Sequence, residues 1–119
     1  MKDEIERQLI NAELNKIKQY KKRIFRITKN RDENRETLLQ LGYTDSIVEE
    51  IILELQTDDC ISSFEKDKAG LKGYVFEFGK VINGKEVYIK FRVLFEKDIC
   101  HINCISFHFA KYRMEYKFK

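Results

Sequence analysis

Asn83-Gly84 lies between two runs rich in β-branched and aromatic residues, Gly73 to Ile82 and Lys85 to Phe95. Both residues tolerate the positive φ of a type I′ turn, so this spacing is a strong hairpin signal. A third run, from about Ile99 to Ala110, follows Glu96-Lys97-Asp98, which can turn the chain again. Three consecutive antiparallel strands are therefore expected over residues 73–119. The second run alternates. Val87, Ile89, Phe91, Val93 and Phe95 fall on one face, while Tyr88, Lys90, Arg92 and Glu96 fall on the other, with Leu94 the exception. One face of the sheet needs a cover, and the other carries a tyrosine and two cations.

The cover is sought upstream. Residues 2 to about 23 have helical periodicity, with a stripe of Ile5, Leu9, Ala12, Ile17 and Tyr20 or Ile24, widened by Ile10 and Leu14. Acids at its start (Asp3, Glu4, Glu6) and bases at its end (Lys16, Lys18, Lys21, Lys22, Arg23) complement the helix dipole. That basic end is either a well-formed terminus or part of a phosphate-binding rim. Ile24 to Thr28 alternates weakly, as a short strand at a sheet edge would. Asp32 or Asn34 can cap a helix that stops at Gly42, and Thr44 or Ser46 can cap a second one carrying Ile47, Val48, Ile51, Ile52 and Leu55 on one face. Thr57-Asp58-Asp59 opens a last short turn through Cys60 and Ile61. Ser62 to Lys72 is polar and is expected to be a loop.

Helices segregated from strands mean an α+β fold. The expectation is one domain over residues 1–119: an N-terminal helix (1–23), a short strand plus helices (24–72), and an antiparallel sheet of three to four strands (73–119) covered on one face. A chain of 119 residues has room for one core. Its net charge of +3 is too mild to announce a nucleic-acid partner, so the distribution of charge must carry that argument. No apolar run is long enough to span a membrane and the first residues lack a signal-peptide core, which points to the cytoplasm.

Cys60, Cys100 and Cys104 are odd in number and fall in or near core elements, as buried free thiols do. Cys100, Cys104 and His108 share strand parity but spread over roughly 13 Å per four residues, too far to hold one ion. Neither a metal nor another cofactor is expected. Phosphate-cradling glycine loops, nucleophile elbows and zinc-protease motifs are absent from the sequence. What remains is the sheet surface. Tyr88, Lys90 and Arg92 project from one face, and the third strand brings Ser106 and His108 close if the register allows. A histidine, a tyrosine and cations together suit RNA cleavage without metal: a near-neutral base takes a proton from a ribose 2′-OH while cations offset phosphorane charge. Tyr74 and Tyr88 could stack on bases. The same residues would equally form a solvated sheet face with a structural histidine.

The run Ile105-Ser106-Phe107-His108-Phe109-Ala110-Lys111-Tyr112-Arg113-Met114-Glu115-Tyr116, together with Val87-Tyr88-Ile89-Lys90, Phe78 to Lys85 and Leu41-Gly42-Tyr43-Thr44, resembles the toxin family of the motility quorum-sensing regulator (MqsR). These toxins are the messenger-RNA interferases of type II toxin–antitoxin systems, and the resemblance covers roughly residues 24–119. It implies a RelE-like fold and metal-independent endoribonuclease activity on messenger RNA, restrained by a cognate antitoxin through which alone DNA would be reached. Tyr88 matches the family's sheet tyrosine, and His108 stands where the best-known member has a catalytic lysine. A loop lysine of that member falls on Ser62, and its glutamine falls near Val75 or Glu77. The resemblance implies roles for Tyr88 and His108; joined to the reading of the sheet surface, catalysis is assigned to His108, Tyr88 and Lys90 and RNA binding to Arg92, Lys80 and Tyr74, with no membrane partner. The alternative is a non-catalytic RNA- or partner-binding protein of the same fold.

Overall fold

The computed structural model describes residues 2–66 and 73–119. Helix α1 (Lys2–Gln19) leads into strand β1 (Lys22–Ile27), followed by helices α2 (Asp32–Leu41) and α3 (Asp45–Leu53). A 3-10 turn (Thr57–Asp59) opens onto β2 (Cys60–Lys66), and β3 (Tyr74–Ile82), β4 (Lys85–Glu96) and β5 (Ile99–Phe109) complete the chain. The fold is α+β. Its five strands form one open sheet in the order β1-β5-β4-β3-β2, larger than the three to four strands expected. The sheet is also mixed, because β1 pairs with β5 in parallel, while the other pairings are antiparallel.

The hairpin forms where the sequence places it. Asn83 and Gly84 both have positive φ, 52° and 79°, and Ile82 pairs with Lys85 across them. Lys97, at φ 55°, turns β4 into β5. Gly42 ends α2 in the left-handed region, where its amide takes up carbonyls the helix leaves free. The Thr44 side chain accepts from the Ile47 amide at the start of α3.

On the covered face of the sheet Val87, Ile89, Phe91 and Val93 of β4 are buried beside Phe76 and Phe78 of β3 and Cys100, Ile102, Cys104 and Phe107 of β5. Phe91 stacks on Phe76 and Phe78 at centroid distances of 5.3 and 5.8 Å. Ile10, Leu14 and Ile17 of α1 and Val48 and Ile52 of α3 close this core. The stripe of α1 is therefore rotated from the expected one. Ile5 and Leu9 are exposed, and the two residues that only widened the predicted stripe, Ile10 and Leu14, lie at its centre. The helix also stops at Gln19, since the chain must turn to deliver β1; Arg23 Nη1 donates to the Tyr20 carbonyl at 2.7 Å across that turn.

Two further expectations are corrected. The stretch expected as a loop from Ser62 is β-strand through Lys66, paired antiparallel with β3 through an irregular register despite its polar residues; residues 67–72 of that loop lie outside the described residues. The parity of β5 also changes along its length. Phe91 pairs with Cys104 but Lys90 pairs with Ser106, so Ile105 is an extra residue, a β-bulge. Cys100 and Cys104 face the core, and beyond the bulge His108 faces the other way rather than sharing their side. Burial pushes the Cys100 thiol up to about 11 and the Cys104 thiol up to about 12.

Beyond the bulge β1 no longer flanks β5; its last bond is from the Thr28 amide to the Cys104 carbonyl, 2.9 Å. Helix α2 takes over that edge with side chains. Asn34, expected only as a possible cap, is fully buried; its Nδ2 donates to the Thr28 and Ile105 carbonyls (2.7 and 3.0 Å), and its Oδ1 accepts from the Phe107 amide at 3.0 Å. Thr37 Oγ1 accepts from the Phe109 amide at 3.2 Å. An edge that would otherwise be open is satisfied by two polar side chains of a helix. Among the described residues no helix is long and apolar enough to cross a membrane.

Candidate functional site

The outer face of the sheet, opposite the core, is laid out in rows by the strand register. Gly79, Tyr88 and His108 form the first row, and Glu77, Lys90 and Ser106 the second. Val75, Arg92, Asn103 and Arg26 form the third, and Leu94, His101 and Ile24 the fourth. Adjacent rows are two residues apart along β4, or about 7 Å. Three of the residues singled out for catalysis, His108, Tyr88 and Lys90, therefore occupy neighbouring positions, and Arg92 follows them by one row.

Tyr88 and His108 face each other across β4 and β5, with ring centroids 5.5 Å apart and planes inclined by 43°. The Tyr88 hydroxyl donates to Glu77 Oε2. Partial burial, reinforced by the neighbouring Glu77 carboxylate, raises the phenol pKa well above its ordinary value. At neutral pH Tyr88 is thus a protonated donor, unsuited to act as a base. The His108 side chain is 13% exposed. Its Nδ1 lies 3.0 Å from the Phe109 carbonyl, an acceptor, and its Nε2 lies 3.5 Å from Glu33 Oε2 on α2. Lys111 bonds the same carboxylate at 3.1 Å; this contact, with His108 and Arg31 nearby, holds Glu33 below the usual carboxylate range. Solvent reaches the histidine through a cavity of about 180 Å³ lined by Glu33, Glu36, Thr37, Gln40, Phe109 and Lys111.

Arg31, between β1 and α2, is not among the residues singled out from the sequence. It ends beside the second row, its Nη1 donating to Ser106 Oγ at 3.3 Å. Arg26 joins the third row because β1 is a strand whose Ile24 and Arg26 share the outer face. The alternation of Ile24 to Ile27 carried that information, but its placement beside β5 did not follow from it. Glu77, considered only as a mismatch, is the hydrogen-bond partner of Tyr88. The outer face therefore carries four cations: Lys90 and Arg31 in or beside the row next to His108, and Arg92 and Arg26 one row further on, next to His101.

Lys80 and Tyr74 are not brought to this group. Both lie on the covered side of β3, opposite Val87 and Val93. Lys80 Nζ is 3.4 Å from Asp59 Oδ2, and Tyr74 packs against the core. Their parity with Phe76 and Phe78 was legible in the sequence and excludes them from the outer face.

The C-terminal segment after β5 closes one end of this surface. The Ala110 amide donates to the Glu86 carbonyl at 2.9 Å, and the Lys117 amide to the Cys60 carbonyl at 2.8 Å, so the chain crosses from β5 to β2. Met114 and Tyr116 rest on Gly79, where a Cβ would meet Met114 Cε at 2.6 Å and Tyr116 Oη at 2.9 Å. A side chain at this position would have to displace the tips of those two residues. Beyond the other end of the Lys90 row is a larger cavity of about 410 Å³, lined by Ile24, Arg26, Arg92, Leu94, His101, Ile102 and Asn103.

The three comparisons with known proteins returned no match: none to a protein family, none to a curated protein and none to a solved structure.

Proposed function

We propose that this chain is the toxin of a type II toxin–antitoxin system, a metal-independent endoribonuclease of RelE-like fold acting on messenger RNA in the cytoplasm. The observation that carries the reading is the juxtaposition of His108, Tyr88 and Lys90 on one sheet face, with Arg31 and Arg92 beside them. The resemblance of residues 24–119 to the MqsR family agrees with it. In this reading His108 moves the proton. The 2′-OH loses its proton as its oxygen bonds to phosphorus, the bond from phosphorus to the 5′ oxygen breaks, and that oxygen takes up a proton. The products are a 2′,3′-cyclic phosphate and a 5′-hydroxyl, so no water is consumed. Lys90 and Arg31 offset the charge on the phosphorane oxygens. Tyr88, kept protonated by its burial and by Glu77, positions the substrate by its ring and hydroxyl. A cognate antitoxin would restrain the enzyme and supply any contact with DNA.

The enclosure of His108 favours one second reading, a non-catalytic RNA- or partner-binding protein in which both ring nitrogens serve structure. Incubation of purified protein with RNA in EDTA separates the two. Cleavage is expected, with cyclic-phosphate ends, and His108→Ala should slow it about 10²–10⁴-fold without altering circular dichroism. A folded His108→Ala protein that cuts at the wild-type rate overturns the catalytic assignment. A wild type that cuts nothing with or without magnesium leaves the binding reading in place.

A further inference from the structure

The cavity on the third and fourth rows is not explained by the chemistry proposed for His108. Its volume of about 410 Å³ is within the range that accepts a small organic ligand. Two cations from different strands, Arg26 of β1 and Arg92 of β4, flank Asn103 of β5 in a single row. Ile24 and Leu94 supply apolar walls, and His101 adds a ring whose Nε2 has no hydrogen-bond partner among the described residues. Its distance of 3.8 Å to Glu96 Oε1 is too long to count as one.

These features match the parts of a nucleotide one by one. A guanidinium suits a phosphate in bidentate fashion, and its plane can lie against a base. An amide offers both a donor and an acceptor to a base edge, while apolar side chains and an imidazole ring contact its faces. The placement matters as much as the composition. From Tyr88 to Arg92 is four residues of β4, about 13 Å, and Lys90 lies midway. An extended single strand that puts its scissile phosphate at His108 and Lys90 would be carried by the sheet toward this cavity. The C-terminal segment over Gly79 closes the opposite direction on β3.

The geometry points to a second subsite here: the Arg26–Asn103–Arg92 cavity holds a nucleotide one or two steps along single-stranded RNA from the cleaved bond, and thereby sets sequence preference. This rests on the nuclease reading for the location of the cleaved bond, but its binding test does not. The probe is a mixed-sequence 2′-O-methyl oligoribonucleotide, which lacks the attacking hydroxyl and reports binding alone. Arg26 is exposed on the edge strand, so Arg26→Gln should leave the fold intact. It should weaken binding about tenfold, the usual scale for a hydrogen bond to a charged group, and lower the slope of log affinity against log salt by about one. Asn103→Asp, of unchanged size but opposed to the phosphate, should weaken binding by a similar factor and flatten discrimination among oligonucleotides of different base composition. Wild-type affinity and slope in both variants overturn the subsite. If the wild type cuts RNA while both variants bind as it does, the subsite fails and the nuclease reading stands. If both variants lose affinity but no protein cuts RNA, the subsite stands and the nuclease reading fails. Failure of the wild type to bind the oligonucleotide overturns the subsite.

Discussion

Replacing Asn34 by alanine should be among the most damaging single changes to this fold. Its side-chain amide makes three hydrogen bonds within 2.7–3.0 Å, to the Thr28 carbonyl, the Ile105 carbonyl and the Phe107 amide, in a fully buried position. Each intramolecular bond is worth about 1 kcal/mol net, and each buried backbone group stranded by the change costs about 1–3 kcal/mol. If water reaches one of the three groups, the expected loss is about 3–5 kcal/mol, a large share of a small domain's stability. Urea denaturation followed by circular dichroism reads it directly. With m near ~2 kcal/mol/M for a chain of this size, the midpoint should fall by about 2 M with m unchanged. Thr37→Val removes the next bond on the same edge and should cost about 1–2 kcal/mol. Because both residues hold the Phe107–Phe109 edge, the double variant should lose less than the sum. A loss below ~1 kcal/mol for Asn34→Ala would show that this edge is solvated and that α2 does not carry it.

Phe91→Ala, which empties the centre of the stacked Phe76, Phe78 and Phe91 group, should cost about 3–5 kcal/mol in the same assay; a change of a few tenths would reverse the assignment of faces. Cys60, Cys100 and Cys104 are all buried, so a disulfide reagent should titrate none of them quickly in native protein and all three after unfolding; rapid native reaction would contradict that burial. Tyr88 has a raised pKa in the fold, so stability tied to it is complete below the ordinary tyrosine pKa and is lost as pH rises from there toward the raised value. Alkaline absorbance titration should show a late-ionising phase that Tyr88→Phe diminishes without abolishing, since Tyr116 is raised as well; a variant that loses amplitude only in the ordinary tyrosine range would refute the raised pKa of Tyr88.

Much of this architecture was legible because local chemistry and tertiary structure agree. Asn83-Gly84, Gly42 and Thr44 each do in the fold what their backbone preferences dictate. The alternation of β4 also held, since a strand buried on one face leaves a period-two record. Legibility failed where partners decide. Ser62 to Lys66 is a strand because β3 supplies its hydrogen bonds, although its residues have the composition of a loop. The α1 stripe contained apolar residues over too wide an arc for the sequence to choose between Ile5/Leu9 and Ile10/Leu14. Of the candidate site, Tyr88, Lys90 and Arg92 followed from parity alone. Arg31 and Arg26 reach the same surface through the packing of β1 and the connection after it, which no local pattern records.

The extra residue at Ile105 separates two obligations that one strand would otherwise have to meet with a single alternation. Upstream, even-numbered positions such as Cys100, Ile102 and Cys104 belong to the core; downstream, the even positions Ser106 and His108 turn to the opposite, outer side of the sheet, and Phe107 enters the core in their place. Such an arrangement is indifferent to what the extra residue is and sensitive to its being there. Libraries of point substitutions at position 105 should be rich in folded, competent variants. Removal of that one codon would offer Phe107 to solvent and press His108 inward, a change no single substitution in β5 can reproduce. Length, more than composition, is what this segment must conserve as it diverges.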